Sequence, residues 1–349
     1  MNALQELERL KNIKCLKNKQ LKFNFKQSPP NPKNYKVTFT KPKDISILNT
    51  VDNSKYCSPV SDQGNSGACT AFASVSSMEF IMNKANNKYL KLSEKFTYYV
   101  SRVNIEKTTV PPPDNGAYLC DALKGLVKYG SCLNTTCPFV NINSNPDKKA
   151  YTECTNYQVI TYAQYDDATS TSKANLPTTI KTIKASIAAG YPVIAGFTCY
   201  TNIYNTVKGV IPLPTAQDSI IGGHAVMIVG YNDITKQFKF KNSWGTSWGV
   251  NGFGFLPYQY YLSGDMVDIW SIFTGKINSD TYGIVITTPV ILQNQMSDIF
   301  DQVMLNYSYL ASSTSLQLLF TNLLNKYKDT PKLITFIKSM QTGLTNFMK

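Results

Sequence analysis

The hydrophobic period of this 349-residue chain changes part-way along, and that change constrains its fold more than any other feature. Apolar residues first recur at helical spacing in three segments, at 69–82, 121–129 and 180–189. Three later runs are short and apolar or alternating, as is typical of strands, at 192–197, 225–231 and 238–242. Helices and strands that segregate along a chain predict an α+β fold, here with two lobes and a cleft between them.

The two ends of the chain differ from this central part. Residues 1 to about 45 carry a weak helical pattern from Leu4 to Leu16, after which Pro29, Pro30 and Pro32 favour an extended stretch. After about residue 275 the helical period returns, and Thr330-Pro331 is typical of a helix start. We therefore predict an N-terminal segment at 1–45, a core at 46–275 and a C-terminal helical extension at 276–349.

The chain contains one histidine, so any imidazole chemistry depends on His224. Cys69 follows a glycine-rich stretch and begins a predicted helix, where the helix dipole favours a thiolate. Asn242 ends the strand after the one that His224 opens, so antiparallel pairing would bring the two side chains together. The Asn242 oxygen could then accept a hydrogen bond from one ring nitrogen and leave the other facing Cys69. Each residue alone also has an ordinary structural explanation.

Two further residues suit the same chemistry. Gln63 offers a side-chain N–H₂ group, and Cys69 its backbone N–H, to the oxyanion of a tetrahedral intermediate. Trp244 could cover the bond between His224 and Asn242 and exclude water, although a tryptophan after a strand is also common core material. Together these residues predict acyl transfer through a thioester, preceded by a thiolate–imidazolium pair.

The segments around these residues resemble those of the papain-like cysteine peptidases. The resemblance covers about residues 46–275 and rests on 58–73 around the cysteine, 222–226 around the histidine and 241–249 around the asparagine. It implies a two-lobed fold with an N-terminal helical lobe and a C-terminal β-barrel-like lobe, and an endopeptidase that needs no cofactor or metal. The residues expected to bind a protein or peptide substrate are Asn115 and Gly116 in a backbone-pairing loop, the Gly223 carbonyl, Ala225 beside the main specificity pocket, and Trp244.

Three alternatives remain open at this point. The same scaffold could catalyse a different acyl transfer, such as ligation or hydrolysis of a non-protein amide, and a peptide-length cleft would distinguish these. It could also be a binding protein that kept the fold without the activity. Finally, residues 1 to about 45 could lie across the cleft as an inhibitory pro-segment or form a disordered basic tail.

Composition and motifs limit the classes of binding partner and the cellular locations that we expect for this protein. The net charge of +13 accompanies abundant Lys, Asn, Ile and Tyr but no nucleic-acid motif, so we do not expect nucleic-acid binding. Cys120, Cys132, Cys137 and Cys154 lack the spacing of a zinc site, so we expect no metal. We find no apolar signal region and no run that could span a membrane, which favours an intracellular, cytoplasmic or virion-packaged protein.

Overall fold

The computed structural model describes residues 6–7, 10, 20–31, 33–39, 48–87, 89–159, 161–165, 176–273, 284–287, 299 and 313–347. The helix predicted from Leu4 to Leu16 lies largely outside the described residues, and so does Pro32. The chain divides into two compact units, one of Met1–Pro29 with Lys36–Ile286 and one of Pro30–Tyr35 with Thr287–Lys349. The three-part division proposed from the sequence stays a prediction.

The first unit contains six described α-helices. They are α1 (Cys69–Asn86), α2 (Glu94–Tyr99), α3 (Leu119–Lys128), α4 (Lys148–Glu153), α5 (Leu176–Ala188) and α6 (Tyr258–Ser263). Helix α1 begins at Cys69, as predicted, and nearly all of its residues are buried. No side chain caps its first turn, so its leading N–H groups stay available to other partners.

The strands form one large, mostly antiparallel sheet. They are β1 (Lys36–Phe39), β2 (Thr50–Asp52), β3 (Thr161–Gln164), β4 (Val193–Tyr200), β5 (Ile220–Asn232), β6 (Gln237–Lys241), β7 (Phe253–Pro257), β8 (Met266–Phe273) and β9 (Ile284–Thr287). Their order is β7-β6-β5-β4-β8-β3-β1-β9, and β2 pairs with β5. In this order, every neighbouring pair between β7 and β3 is antiparallel. Strand β1 pairs with β3 in parallel. The predicted α+β fold is therefore confirmed.

The sheet brings the predicted site residues together because of its register. Met227 of β5 lies opposite Lys241, the last residue of β6. The first half of β5 and the residue after β6 therefore lie at the same end of this strand pair. The first turn of α1 packs on this region, since Cys69 shares a buried apolar cluster with Ala225 and Met227 of β5. The strands thus fix where His224 and Asn242 lie, and the helix fixes where Cys69 lies.

The second unit contains two described helices, α7 (Ser313–Lys326) and α8 (Pro331–Phe347). Helix α8 begins at Pro331, as the sequence predicts. A buried cluster joins the two helices, consisting of Phe320, Leu323, Leu333, Ile337 and Ile299. None of the helices in the described parts of the chain combines the length and the apolar character needed to cross a bilayer.

Candidate active site

A hydrogen bond joins the side chains of His224 and Asn242. Nε2 of His224 lies 2.8 Å from Oδ1 of Asn242, and this oxygen also accepts the backbone N–H of Ser243 at 2.8 Å. Because the Ser243 N–H requires an acceptor, the atom facing His224 is the oxygen and Nε2 must carry a proton. In the neutral ring Nδ1 is then the unprotonated nitrogen. It is buried and makes no hydrogen bond in the described structure, so it is available to take a proton.

Aromatic rings enclose the imidazole. Trp244 stacks on His224 with 4.5 Å between ring centroids and an interplanar angle of 27°. Phe197 meets the ring edge-on at 5.8 Å. Trp244 is 1% exposed and His224 is fully buried. Trp244 therefore covers the imidazole, and its role in excluding water stays a prediction.

Cys69 lies beside β5 at the start of α1. Burial raises the pKa of its thiol to about 11, although hydrogen bonds from the backbone N–H groups of Ala225 and Thr70 lower it. Burial also lowers the pKa of His224 to about 4, against a smaller rise from the bond to Asn242. Burial therefore favours the neutral form of each group, because desolvation opposes the helix dipole when the thiol is fully covered. The thiolate–imidazolium pair stays a prediction.

Gln63 is held on both sides of its side-chain amide. Its Oε1 accepts the Ser243 hydroxyl at 2.6 Å, and its Nε2 donates to the Ser66 carbonyl at 2.8 Å. The backbone N–H of Gln63 also donates to the Ser243 carbonyl at 2.8 Å. One N–H of the amide is left over, and it belongs to a buried, fixed group.

Part of the N-terminal segment, residues 20–28, covers the site and is called the segment below. Its backbone pairs with β5, because Phe25 N–H donates to the Gly223 carbonyl at 3.1 Å and Gly223 N–H donates to the Phe23 carbonyl at 3.0 Å. On the other side, Lys26 N–H donates to the Ala117 carbonyl at 3.4 Å. The segment is thus an extended chain bonded to both walls of a cleft.

The segment also fills two apolar pockets. The ring of Phe25 lies over Gly196 and Gly223, where an added Cβ would come within 2.1 Å and 2.8 Å of its atoms. The ring of Phe23 packs edge-on against Trp244, with centroids 6.0 Å apart. Phe25 also packs on the buried cluster that contains Cys69. One aromatic side chain of the segment therefore packs on Trp244 and another on the buried cluster that contains the predicted nucleophile.

A third group of contacts fastens the end of the segment. Ser28 donates its backbone N–H at 2.9 Å and its hydroxyl at 2.8 Å to one carboxylate oxygen of Asp268. The Ser28 hydroxyl in turn accepts the backbone N–H of Cys120 at 2.9 Å. Asp268 and Ser28 are both buried, so these bonds are shielded from water.

The residues expected to bind substrate fall into two groups. In the first group, Gly223 pairs with the segment and Ala225 bonds the Cys69 sulfur. Gly116, at φ 87°, lies against the segment, because a Cβ added to it would be 1.8 Å from the Asn24 carbonyl oxygen. Asn115, by contrast, is exposed. Four further residues contribute here that sequence reasoning missed: Ala117, Tyr118, Gly196 and Ser243. Of these four, only Ser243 could have been recognised in the sequence, because it directly follows Asn242.

No group of three His, Cys, Asp or Glu residues that could hold a metal occurs among the residues that the structure describes. Cys132, Cys137 and Cys154 share one buried cluster, whereas Cys120 belongs to the central one. The four cysteines considered for zinc are therefore not gathered at one place.

Comparison with known proteins identifies the family. Residues 47–261, more than half of the chain, match the papain family of cysteine proteases. The chain belongs to this family. A peptidase C1-like protein of Acanthamoeba polyphaga mimivirus is 32% identical over 218 residues, which make up 60% of this chain and 68% of that protein. A senescence-specific cysteine protease of Oryza sativa is 28% identical over 198 residues, and the match spans 52% of its length.

A solved structure of the family agrees with the fold. Xylellain, a cysteine protease from Xylella fastidiosa, superimposes with a TM-score of 0.62 at 26% sequence identity. The alignment covers 74% of this chain and 97% of xylellain. The papain-like fold expected from the sequence is therefore confirmed.

Proposed function

We propose that this papain-family protein is an endopeptidase in which Cys69 is the nucleophile and His224 the acid and base. The hydrogen bond between His224 and Asn242 carries this proposal, because it leaves Nδ1 as the ring's proton acceptor while Ala225, the next residue, bonds the Cys69 sulfur. Asn242 orients the ring without adding a negative charge. Gln63, with the Cys69 backbone N–H, stabilises the oxyanion.

The reaction follows from these roles. The Cys69 thiol gives its proton to Nδ1 of His224, and its sulfur attacks the peptide carbonyl carbon. The oxyanion forms beside Gln63, and His224 then passes the proton to the departing amine. Water attacks the resulting thioester with His224 as base, which releases the acid product and restores the thiol.

The cleft favours a peptide substrate over a small amide. The segment at 20–28 shows that an extended chain can bond to Gly223 on one wall and Ala117 on the other, with aromatic side chains in pockets between them. Backbone pairing with alternate side chains in pockets is how strand-like peptides are recognised. This length of groove supports peptide hydrolysis rather than ligation or hydrolysis of a small molecule.

We also propose that the N-terminal segment inhibits the enzyme that carries it. It fills the cleft beside a fully buried Cys69, and its place on the same chain gives it an effective concentration of roughly millimolar. Competing peptides must displace it before they reach the thiol. The full chain is therefore expected to show low initial activity and a lag.

A peptide library tests both proposals. The purified full chain is incubated with peptides of random sequence, and the new termini are identified by mass spectrometry. We expect cleavage inside peptides after a lag, no lag in a Phe25→Ala variant, and no cleavage by Cys69→Ser. Cleavage by Cys69→Ser would refute the nucleophile, and an equal lag in both active proteins would refute inhibition by the segment.

A further inference from the structure

The second unit contains the stretch of chain that directly follows the segment in the cleft. The segment ends at Ser28, which is buried in the first unit, whereas residues 30–35 belong to the second unit. The next residue, Lys36, belongs to the first unit again and pairs with Gln164 of β3. A single residue, Pro29, therefore separates the segment from the part of the chain that the second unit contains.

A tyrosine at the end of residues 30–35 fastens this stretch to the C-terminal helices. The Tyr35 ring packs on the buried cluster that joins α7 and α8, and Nζ of Lys332 lies 4.1 Å from the centroid of the ring. Burial raises the pKa of the Tyr35 hydroxyl, as expected for a ring that is partly removed from water. Packing of the ring and its attraction to a cation both favour the bound position of Tyr35.

The stretch before Tyr35 has a defined conformation of its own. The Asn34 N–H donates to the Asn31 carbonyl at 3.1 Å, and the Lys33 N–H donates to the Asn31 side-chain oxygen at 2.9 Å, which makes a turn stabilised by an asparagine. Pro29 and Pro30 precede the turn, and each proline ring fixes its own φ. A stiff linker of this kind restricts the movement of the chain attached to it, so a bound turn limits how far the segment can move.

We propose that α7 and α8 anchor the segment in the cleft by binding residues 30–35, and that this is the role of the C-terminal helices. The proposal rests on the inhibition by the segment proposed above and names how that inhibition is regulated. While Tyr35 is bound, the segment moves only about the short link between Ser28 and Pro30. Once Tyr35 leaves α7 and α8, the nearest fixed residue is Lys36, so the segment moves on a longer and more flexible tether.

The length of this tether sets how often the cleft opens. The effective concentration of a tethered ligand falls roughly as the −3/2 power of the tether length. The tether grows from two residues (30 − 28) to eight (36 − 28) when the anchor is lost. Loss of the anchor should therefore raise the fraction of open molecules about eightfold. Any event that displaces Tyr35 from α7 and α8 would activate the enzyme in this way.

Labelling of Cys69 measures this opening without any need for catalysis. The full chain is treated with dilute iodoacetamide, so that the rate of labelling follows the fraction of open molecules, and peptide mapping gives the rate at Cys69. We expect Tyr35→Ala to be labelled about eightfold faster than the wild type, and Tyr35→Phe, which keeps the ring, to be labelled at the wild-type rate. An unchanged rate in Tyr35→Ala would overturn the proposal.

An insertion tests the tether and leaves the contacts of both units unaltered. Six Gly and Ser residues between Pro29 and Pro30 lengthen the tether to eight residues while Tyr35 stays bound. The insertion variant should match Tyr35→Ala. Adding Tyr35→Ala to it should give only about a twofold further increase, because the tether then grows from eight to fourteen residues. A wild-type rate in the insertion variant would overturn the proposal, even if Tyr35→Ala unfolds the second unit.

Two controls separate the anchor from other effects. The same six residues inserted after Ile234, in the exposed turn between β5 and β6, should not change the labelling of Cys69, and an equal gain there would overturn the tether explanation. Faster labelling in Phe25→Ala, with wild-type rates in Tyr35→Ala and the insertion variant, would refute only the anchor. A wild-type rate in Phe25→Ala would refute the inhibition by the segment on which the anchor rests.

Discussion

Ser243 donates its hydroxyl to the side-chain oxygen of Gln63 at 2.6 Å, across 180 residues of sequence. The bond joins the stretch before α1 to the stretch after β6, which also carries Asn242. It fixes the orientation of the Gln63 amide, because the oxygen is engaged and the N–H₂ group must point the other way. The proposed oxyanion donor, Gln63, and the residue bonded to His224, Asn242, are therefore held by one connected set of bonds.

The first prediction compares the loss of the proposed oxyanion donor, Gln63, with the loss of Ser243, which holds it in place. Gln63→Ala removes the donor itself and should lower kcat about a hundredfold, the usual cost of losing one oxyanion donor. Ser243→Ala keeps the amide but frees its oxygen, so we expect a smaller loss of about tenfold, in line with one buried hydrogen bond. Initial rates on a fluorogenic peptide, in the Phe25→Ala background, measure both. Exposed Ser247→Ala is the matched control, and full activity of Gln63→Ala would contradict the assignment.

The second prediction concerns the pocket under Phe25. A methyl group on Gly196 would lie 2.1 Å from the tip of the Phe25 ring, closer than any real contact, so Gly196→Ala should displace the ring. Cys69 should then react several-fold faster with iodoacetamide, a reagent too small to need the pocket. Gly196→Ala in a Phe25→Ala chain should not increase the reaction rate of Cys69 further, because the clash is absent. An equal gain in both backgrounds would show that the ring is not what covers the thiol.

Much of the site was predictable because its chemistry is local. The glycine-rich turn before Cys69, the single histidine and the asparagine after a strand each mark a residue type in a specific setting, and the strand spacing brings His224 to Asn242. The start of α1 at Cys69 and of α8 at Pro331 followed from local helix signals. Strands β2 and β8 were missed: β2 has only three residues, and β8 is buried on both faces, so its pattern does not alternate.

The complete burial of the Cys69 thiol was not predictable, for a different reason. A helix start favours a thiolate only where the sulfur is solvated or paired. Phe25, more than forty residues earlier in the chain, packs on the buried cluster that contains Cys69. The same is true of Gly196, whose role appears only once a ring rests on it. Long-range contacts of this kind leave no periodic trace in the sequence.

The third prediction follows from the raised pKa of Cys69. In the full chain the thiol has a pKa of about 11 because it is buried, so its alkylation rate should keep rising up to that pH. Opening the cleft with Phe25→Ala relieves the desolvation and should move the profile to lower pH. Peptide mapping after timed alkylation gives the rate at each cysteine. Cys57, whose pKa burial raises to about 12, serves as the internal reference and should not shift.

Among the described cysteines, one other thiol could compete in that experiment. A hydrogen bond from Cys132 lowers the pKa of Cys137 below its ordinary value, so Cys137 is the described rival at neutral pH. In the opened chain we expect Cys69 to be labelled first by an epoxide inhibitor that also binds the cleft. Faster labelling of Cys137 by that inhibitor would contradict the assignment of Cys69 as the nucleophile.

The last prediction concerns the dependence of stability on pH. Burial lowers the pKa of His224 from 6.5 to about 4 in the folded chain, whereas the unfolded chain keeps the ordinary value. Between these values the unfolded state binds more protons, so acid favours unfolding. The contribution of His224 is complete above pH 6.5 and is lost as the pH falls towards 4, a change of about 3 kcal/mol.

Urea titrations at pH 7, 5.5 and 4 measure this contribution, followed by fluorescence because all three tryptophans lie in the first unit. The free energy of unfolding should fall by about 3 kcal/mol more in the wild type than in His224→Gln, since every carboxylate titrates alike in both proteins. Parallel curves would show that His224 is not buried as a neutral ring. The excess should shrink in Phe25→Ala, because the same segment that covers Cys69 keeps water from the imidazole.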